Sequence, residues 1–459
     1  MSGYNAVEAI LPEIERCLRC GLCKAPCPVF AEIRDEAGSA RGRIAMIEAL
    51  RENDLSLSPL FTERLSKCLN CRACMEACPS GIKVDEIVLA ARAEIFSKGR
   101  FPLLKKFIFR QVLRRGRLLP PVSKTLAFVQ RHILRGLPAS SPYRVLLPLA
   151  RIDKDRVLPV FAERTLLEEF GEIVSPAATA GARPQMRVAF FVGCATNLIY
   201  TEVGRSVLRI LLGEGIEVVI PRGQGCCGIP AYTAGDRETG RELAERNLKA
   251  LRRHKVDAIV TACATCGAAL KRDYESILGL KSADPGAPVY DLSEFLVAHG
   301  KIEFAGGRRP EARGGRIKVT YHYPCHLNRG QGVKDAPRQV LEALPQVDFV
   351  EMAEADRCCG GAGAFSLSHY DLSKAIGARK VGCIAASGAE VVATSCPSCM
   401  MQLADMLGRN GLPQQVVHLA ELVAACYPDL ATLTAGPGEQ PGSRGTLAAD
   451  SKKKPASPR

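Results

Sequence analysis

Cys194, then Cys226-Cys227-Gly228, then Cys263-Ala264-Thr265-Cys266: this array returns further along the chain as Cys325, Cys358-Cys359-Gly360 and Cys396-Pro397-Ser398-Cys399. Between the lone cysteine and the vicinal pair lie 31 residues in the first copy and 32 in the second; between the glycine and the last pair lie 34 and 35. So regular a recurrence marks a repeated structural unit. The apolar run from Arg187 to Gly193 ends at Cys194 and reads as a buried strand that delivers the thiol at its C-terminal end. Glu202 to Leu212 then has helical spacing, Glu217 to Ile220 reads as a strand leading to the vicinal pair, Arg237 to Arg252 as a helix, and Ala258 to Thr261 as a strand ending at Cys263. The second copy repeats the plan with Lys318 to Tyr321, Val347 to Met352 and Glu390 to Thr394 before its own cysteines. Strand, ligand and helix in succession predict α/β lobes with parallel strands, and open parallel sheets gather ligands outside the carboxyl ends of their strands. Two similar lobes, residues 184–300 and 301–433, are expected, related by a pseudo-twofold and holding one site each.

Five thiols in each set exceed the four that a cubane takes. Adjacent cysteines do not readily occupy separate corners of one tetrahedron, so the vicinal pair suits bridging of two irons. That points to a cluster of unusual shape or to a cubane with a spare thiol; a redox-active vicinal disulfide, or zinc in one copy, are the alternatives. Gly228 and Gly360 would let the backbone approach the cluster or take a positive φ. His322 and His326 flank Cys325, where a ligand or proton-relay role competes with a hydrogen bond that orients the loop.

Upstream lies a second pair of arrays, Cys17-x2-Cys20-x2-Cys23-x3-Cys27-Pro28 and Cys68-x2-Cys71-x2-Cys74-x3-Cys78-Pro79. Three thiolates at this spacing wrap one face of a cubane, and the fourth, followed by proline, reaches the neighbouring cluster. The rule assigns Cys17, Cys20, Cys23 and Cys78 to one 4Fe-4S cluster and Cys68, Cys71, Cys74 and Cys27 to the other. A single structural zinc wants two spaced pairs instead. Gly42 to Asn53 and Val84 to Phe96 carry helical apolar spacing, so residues 1–95 are expected to form a helical two-cluster ferredoxin-type domain. The fold class is therefore multidomain, α followed by α/β.

The chain has 459 residues, 47% of them apolar and 24% charged, as a soluble globular protein would. Twenty cysteines stand out. The N-terminus has no basic region followed by an apolar run, and in a reducing cytosol cysteines at these spacings mean metal rather than disulfides. Cys383 and Cys426 belong to no array and are expected in the core. No uncharged apolar run approaches the ~18 residues of a membrane-spanning helix. The net charge of +14 is local: Glu94 and Asp153 bracket a segment with 13 Lys and Arg and no carboxylate. Residues 96–183 thus form a basic connector. Phe101 to Arg117 has roughly helical spacing that Leu126 to Leu134 would continue after Pro120-Pro121, and Pro138 to Pro184 reads as a linker. Such a helix can rest on anionic lipid, dock an acidic partner, or pack between domains with its charges in solvent. Nucleic acid is not expected, since tryptophan is absent, aromatics are few and no reading motif is present. Residues 434–459 have the composition of a disordered tail.

A two-cluster ferredoxin segment followed by two Cys…CysCysGly…CysxxCys lobes resembles the iron-sulfur subunit of glycolate oxidase (glycolate dehydrogenase), and more broadly those of lactate and anaerobic glycerol-3-phosphate dehydrogenases. The likeness runs from about residue 10 to residue 430 and includes Arg41-Gly42-Arg43-Ile44 and Cys78-Pro79-Ser80-Gly81. The paired lobes are equally similar to the catalytic subunit of heterodisulfide reductases, whose five-Cys motifs hold noncubane 4Fe-4S clusters. The resemblance implies one such cluster on Cys194, Cys226, Cys227, Cys263 and Cys266, and another on Cys325, Cys358, Cys359, Cys396 and Cys399. A hydroxy-acid oxidation needs a hydride acceptor, yet the chain carries no flavin or dinucleotide fingerprint. The family therefore implies a separate FAD subunit that oxidises glycolate or D-lactate, with this chain passing electrons towards membrane quinone, in the cytoplasm or peripherally on the inner face of the cell membrane. The rival reading is a disulfide reductase acting at the five-Cys clusters.

Overall fold

A computed structural model of the chain describes residues 5–99, 108–114, 116, 119–130, 156–157, 159–176, 184, 186–300, 315–363 and 365–434. Its framework is two parallel sheets. In the first, β2 (Arg187–Phe190), β3 (Glu217–Val219), β4 (Ala258–Thr261) and β5 (Val289–Asp291) lie in the order β3-β2-β4-β5, and β1 (Ile173–Val174) pairs antiparallel with β3 at the edge. In the second, β6 (Ile317–Tyr321), β7 (Val347–Phe349), β8 (Val391–Thr394) and β9 (Gln415–His418) lie in the order β7-β6-β8-β9. The registers correspond: Val188 pairs with Val218 and Ala258, and Val319 with Phe349 and Val391. β4 and β8 are buried at every position, as central strands covered on both faces must be. The strands read from the sequence appear with ends shifted by a few residues. A fourth strand in each lobe, β5 and β9, is additional.

The lobes pack about a pseudo-twofold. Helix Thr201–Gly213 of the first lies on Leu419–Ala424 of the second, and the reciprocal pair Ala336–Ala343 and Leu292–His299 also packs together. Ala264–Ala268 likewise meets Cys325–Gln331, and Gly193–Leu198 meets Pro397–Arg409. One apolar core consequently runs through both lobes, from Val188, Phe190 and Val207 to Tyr321, Met400 and Leu419.

Residues 5–99 are helical without strands. Ala40–Arg51 and Val84–Ser97 are the long helices expected here. Ser39 caps the first by accepting from Gly42 N at 3.0 Å. Cys27 caps Pro28–Ile33: proline at the first helical position gives up no needed donor, and Phe30 N approaches Cys27 Sγ at 3.5 Å. This unit is tied to both lobes. Arg72, 3% exposed, pairs with Asp85 at 2.9 Å and with Asp273 of the first lobe at 2.5 Å, while Arg92 donates to Thr233 O at 2.9 Å. Towards the second lobe Glu76 pairs with Arg329 at 2.8 Å, and Ser66 Oγ lies 2.7 Å from His369 Nε2.

The connector departs from expectation. Pro120 and Pro121 lie inside the first turn of helix Leu119–Phe128 instead of preceding it, because proline fits that turn. Arg110 pairs with Asp236 and Glu238, Arg114 with Glu242, and Lys124 with Glu168. Arg110 and Arg114 thus face the acidic edge of the first lobe, as in a helix packed between domains, while Arg156 donates to Ser366 of the second. The segment read as linker supplies Leu166, Val174 and β1 to the first lobe. Residues 100–107, 131–155 and the tail from 435 lie outside the described residues. No helix among the described residues is long and apolar enough to cross a membrane.

Candidate metal centres

The N-terminal thiols line two small cavities. Cys17, Cys20, Cys23 and Cys78 surround the first, and Cys68, Cys71, Cys74 and Cys27 the second, with Cys74 reaching the wall of both. The fourth cysteine of each array crosses to the other group. The first cavity lies at the surface, where Cys20 is exposed and Leu18 and Leu22 are 74% and 56% exposed beside it. The second is interior. Burial, followed by neighbouring thiols, pushes Cys71 and Cys74 well above the ordinary thiol range, so these groups ionise only against a compensating cation. Arg43 borders the same cavity, 2% exposed, with Nε and Nη2 lacking any protein acceptor. Four converging thiols and an unspent buried guanidinium fit a cubane, whose thiolates and sulfides need donors around them.

Each lobe contributes one five-Cys set, and the two sets face each other. Both open into a single cavity of about 400 Å³ between the lobes, lined by all their members except Cys226, and Cys68 reaches its wall. The reason is the pseudo-twofold: the carboxyl ends of both sheets face each other, so thiols placed at strand ends converge. Cys263 and Cys396 follow β4 and β8 in extended backbone and begin the next helices. Neighbouring thiols adjoin in series, through the first set as Cys194, Cys226, Cys227, Cys266, Cys263, and through the second as Cys325, Cys358, Cys359, Cys399, Cys396. Cys263 meets Cys396 at the join. Donation from Cys226 and then Cys266 brings Cys227 down to about 6, while its bond to Cys226, then burial, pushes Cys194 well up. Buried thiols that share protons in this way are ready to exchange them for iron. Gly228 and Gly360 both have φ +86°; a Cβ there would stand 2.8 Å from Gly240 O and 2.9 Å from Ser373 O.

His322 is fully buried, and a ring nitrogen, Cys359 Sγ and Cys399 Sγ lie within 4.8 Å of one another. Neither ring nitrogen has a hydrogen-bonded partner, the Ala355 carbonyl approaching outside hydrogen-bonding geometry. Burial, with Lys380 nearby, holds the ring neutral, with its pKa down to about 3. His326 lines the shared cavity, its Nδ1 4.0 Å from Cys325 Sγ. Cys383 and Cys426 are half-buried at the edges of the apolar cores, away from the cavities. Arg43 and His369 also border these sites, although the cysteine spacings point to neither. Arg43 stands in the Arg41-Gly42-Arg43-Ile44 run, whereas nothing local marks His369.

Fold and thiol sets together define an iron-sulfur protein of the oxidoreductases, with a ferredoxin-like dicluster segment followed by two cysteine-rich repeats. The 4Fe-4S dicluster domain family matches residues 13–82, and the cysteine-rich domain family, CCG, matches residues 188–271 and 319–404. The chain belongs to the family of glycolate oxidase iron-sulfur subunits. It is 30% identical to the probable glycolate oxidase iron-sulfur subunit of Bacillus subtilis over 429 residues, spanning 90% of this chain and 93% of that one. It is 28% identical over 443 residues to one of the subunits of the dihydromethanophenazine:CoB–CoM heterodisulfide reductase of Methanosarcina barkeri, spanning 92% and 95%. Lactate utilization protein A of Geobacillus kaustophilus is 33% identical over 249 residues, 52% of this chain and 99% of the relative.

Proposed function

We propose that the chain is the electron-transfer subunit of an FAD-linked 2-hydroxy-acid dehydrogenase, acting on glycolate or D-lactate, that relays electrons from a separate flavoprotein towards membrane quinone. Cys17, Cys20, Cys23 and Cys78 would hold one cubane and Cys68, Cys71, Cys74 and Cys27 a second. Each five-Cys set would hold a further, noncubane 4Fe-4S cluster. When bound, these centres supply one-electron steps. The observation that carries the reading is the unbroken succession of thiol-lined cavities from the exposed rim at Cys20 to the cavity between the lobes. At its middle Cys27 and Cys358 share one apolar cluster, against which Cys71 and Cys325 pack. These residues keep water out of the step between the two halves. The reading leaves hydride chemistry to the partner.

A second reading has one observation in its favour. Both five-Cys sets face the same cavity of about 400 Å³, which suits a disulfide held between two centres, as in a heterodisulfide reductase. Anaerobic purification with co-purifying subunits decides between them. The dehydrogenase reading expects flavin in the complex and dye reduction with glycolate, D-lactate or glycerol 3-phosphate. A flavin-free complex that reduces no dye with these acids but consumes a disulfide would replace it with the second.

A further inference from the structure

The two lobes differ at one position that the pseudo-twofold makes equivalent. Phe191 follows β2 and His322 follows β6, each three residues before the lone cysteine of its lobe. Each donates its backbone N–H at 2.9 Å to the neighbouring central strand, Phe191 to Val260 O and His322 to Ala393 O. Both side chains are fully buried. Phe191 packs with Cys227 and Cys266, and His322 lies against their counterparts Cys359 and Cys399. A phenyl ring therefore borders the first set where an imidazole borders the second.

Resting on the reading above that each set holds an iron-sulfur centre, we infer that His322 is a positioning residue that donates an N–H to the Cys359 or Cys399 sulfur and sets the second centre at a higher reduction potential than the first. A donor role follows from the comparison of the copies. The first set has the same five thiols beside a phenyl ring that cannot ligate, so the common cluster needs no nitrogen. The second observation is the ring itself, buried among thiols with no hydrogen-bonded partner, an arrangement that costs free energy unless a sulfur acceptor is supplied. Hydrogen bonds to cluster sulfurs favour the reduced, more negative state. The lobe reached first from Cys71 would then carry the more readily reduced centre, and the two otherwise similar sites would be ordered in energy by one side chain.

The test is an EPR-monitored redox titration of the reconstituted full-length chain under anaerobic conditions. In the wild type the two C-terminal signals should titrate separately. His322→Phe should weaken reduction of the upper one at least tenfold, a shift of about 59 mV for one electron, and leave the other in place. Phe191→His should raise the lower one, which keeps the inference open to refutation if His322→Phe does not fold. With ¹⁵N-histidine in the otherwise unaltered protein, the upper signal should show a weak nitrogen coupling that His322→Phe removes. Two normal signals indifferent to both substitutions would overturn the inference alone, as would a strong coupling of the kind an iron–nitrogen bond gives. Absence of any C-terminal iron signal in the wild type would overturn it together with the cluster reading.

Discussion

Asp291 shows what one buried carboxyl does to this fold. It ends β5 and caps helix Leu292–His299, with Oδ1 accepting from Ser293 N at 3.0 Å and Ser293 Oγ at 2.6 Å, while Oδ2 has no partner. Burial outweighs those bonds and raises its pKa from 3.8 to about 6. The folded state thus holds a proton that the unfolded state has lost between these values. Stability falls as pH rises through that window, and the cost is complete above it. Asp291→Asn keeps the accepting oxygen and drops the charge, so it should be more stable than wild type by about 3 kcal/mol at pH 7 and by about half that at pH 5. Anaerobic denaturant unfolding at the two pH values checks this; a gap that does not change with pH would refute it. Arg72 is the opposite case, since it compensates the buried Asp85 and Asp273 together. Arg72→Met should cost about 3–5 kcal/mol, because two carboxylates are left buried without their shared partner. A loss below about 1 kcal/mol would mean that Arg272, 3.2 Å from Asp85, takes over the role.

At the scale of elements, the turn from the vicinal pair into its following helix is the most constrained piece. Gly228 and Gly360 combine positive φ with a backbone carbonyl within 2.9 Å of any added Cβ. Gly360→Ala should therefore destabilise the chain by more than the roughly 1 kcal/mol of backbone strain alone. It should also withdraw Cys358 and Cys359 from their set, which spectroscopy would read as loss of one C-terminal signal with the other intact; retention of both would argue against the turn. That glycine was legible in the sequence, as were the strands ending at cysteines, because an apolar run leading into a ligand announces itself. β5 and β9 were not, because Val289–Asp291 and Gln415–His418 are short edge strands with no cysteine after them. Their signal lay one step on: Asp291 with Glu294, and His418 with Glu421, form capping boxes at the start of the next helix. Reading Asp-x-x-Glu and His-x-x-Glu as helix starts would have exposed the strands before them.

Over the whole molecule, the crossed grouping of the N-terminal cysteines was legible because the Cys-Pro positions encode it locally, whereas the cavity shared by the lobes depends on helices far apart in sequence, such as Thr201–Gly213 on Leu419–Ala424. The difference sets how far damage should travel. Cys20 sits at an exposed rim, and its cavity walls come from residues 17–84 alone. Cys20→Ser should remove or convert one cubane and stop electron flow while both lobes keep their fold, since their common core draws nothing from that segment. Cys263 lies at the join, beside Cys266 of its own set and Cys396 of the other. Cys263→Ser should therefore deplete iron from the first set and also shift the signal of the second, through the changed environment of Cys396. Iron and acid-labile sulfide content, circular dichroism and EPR of the two variants would measure both effects. Lobes that unfold with Cys20→Ser would contradict the independence of the N-terminal site, and a second-set signal untouched by Cys263→Ser would contradict the coupling across the join.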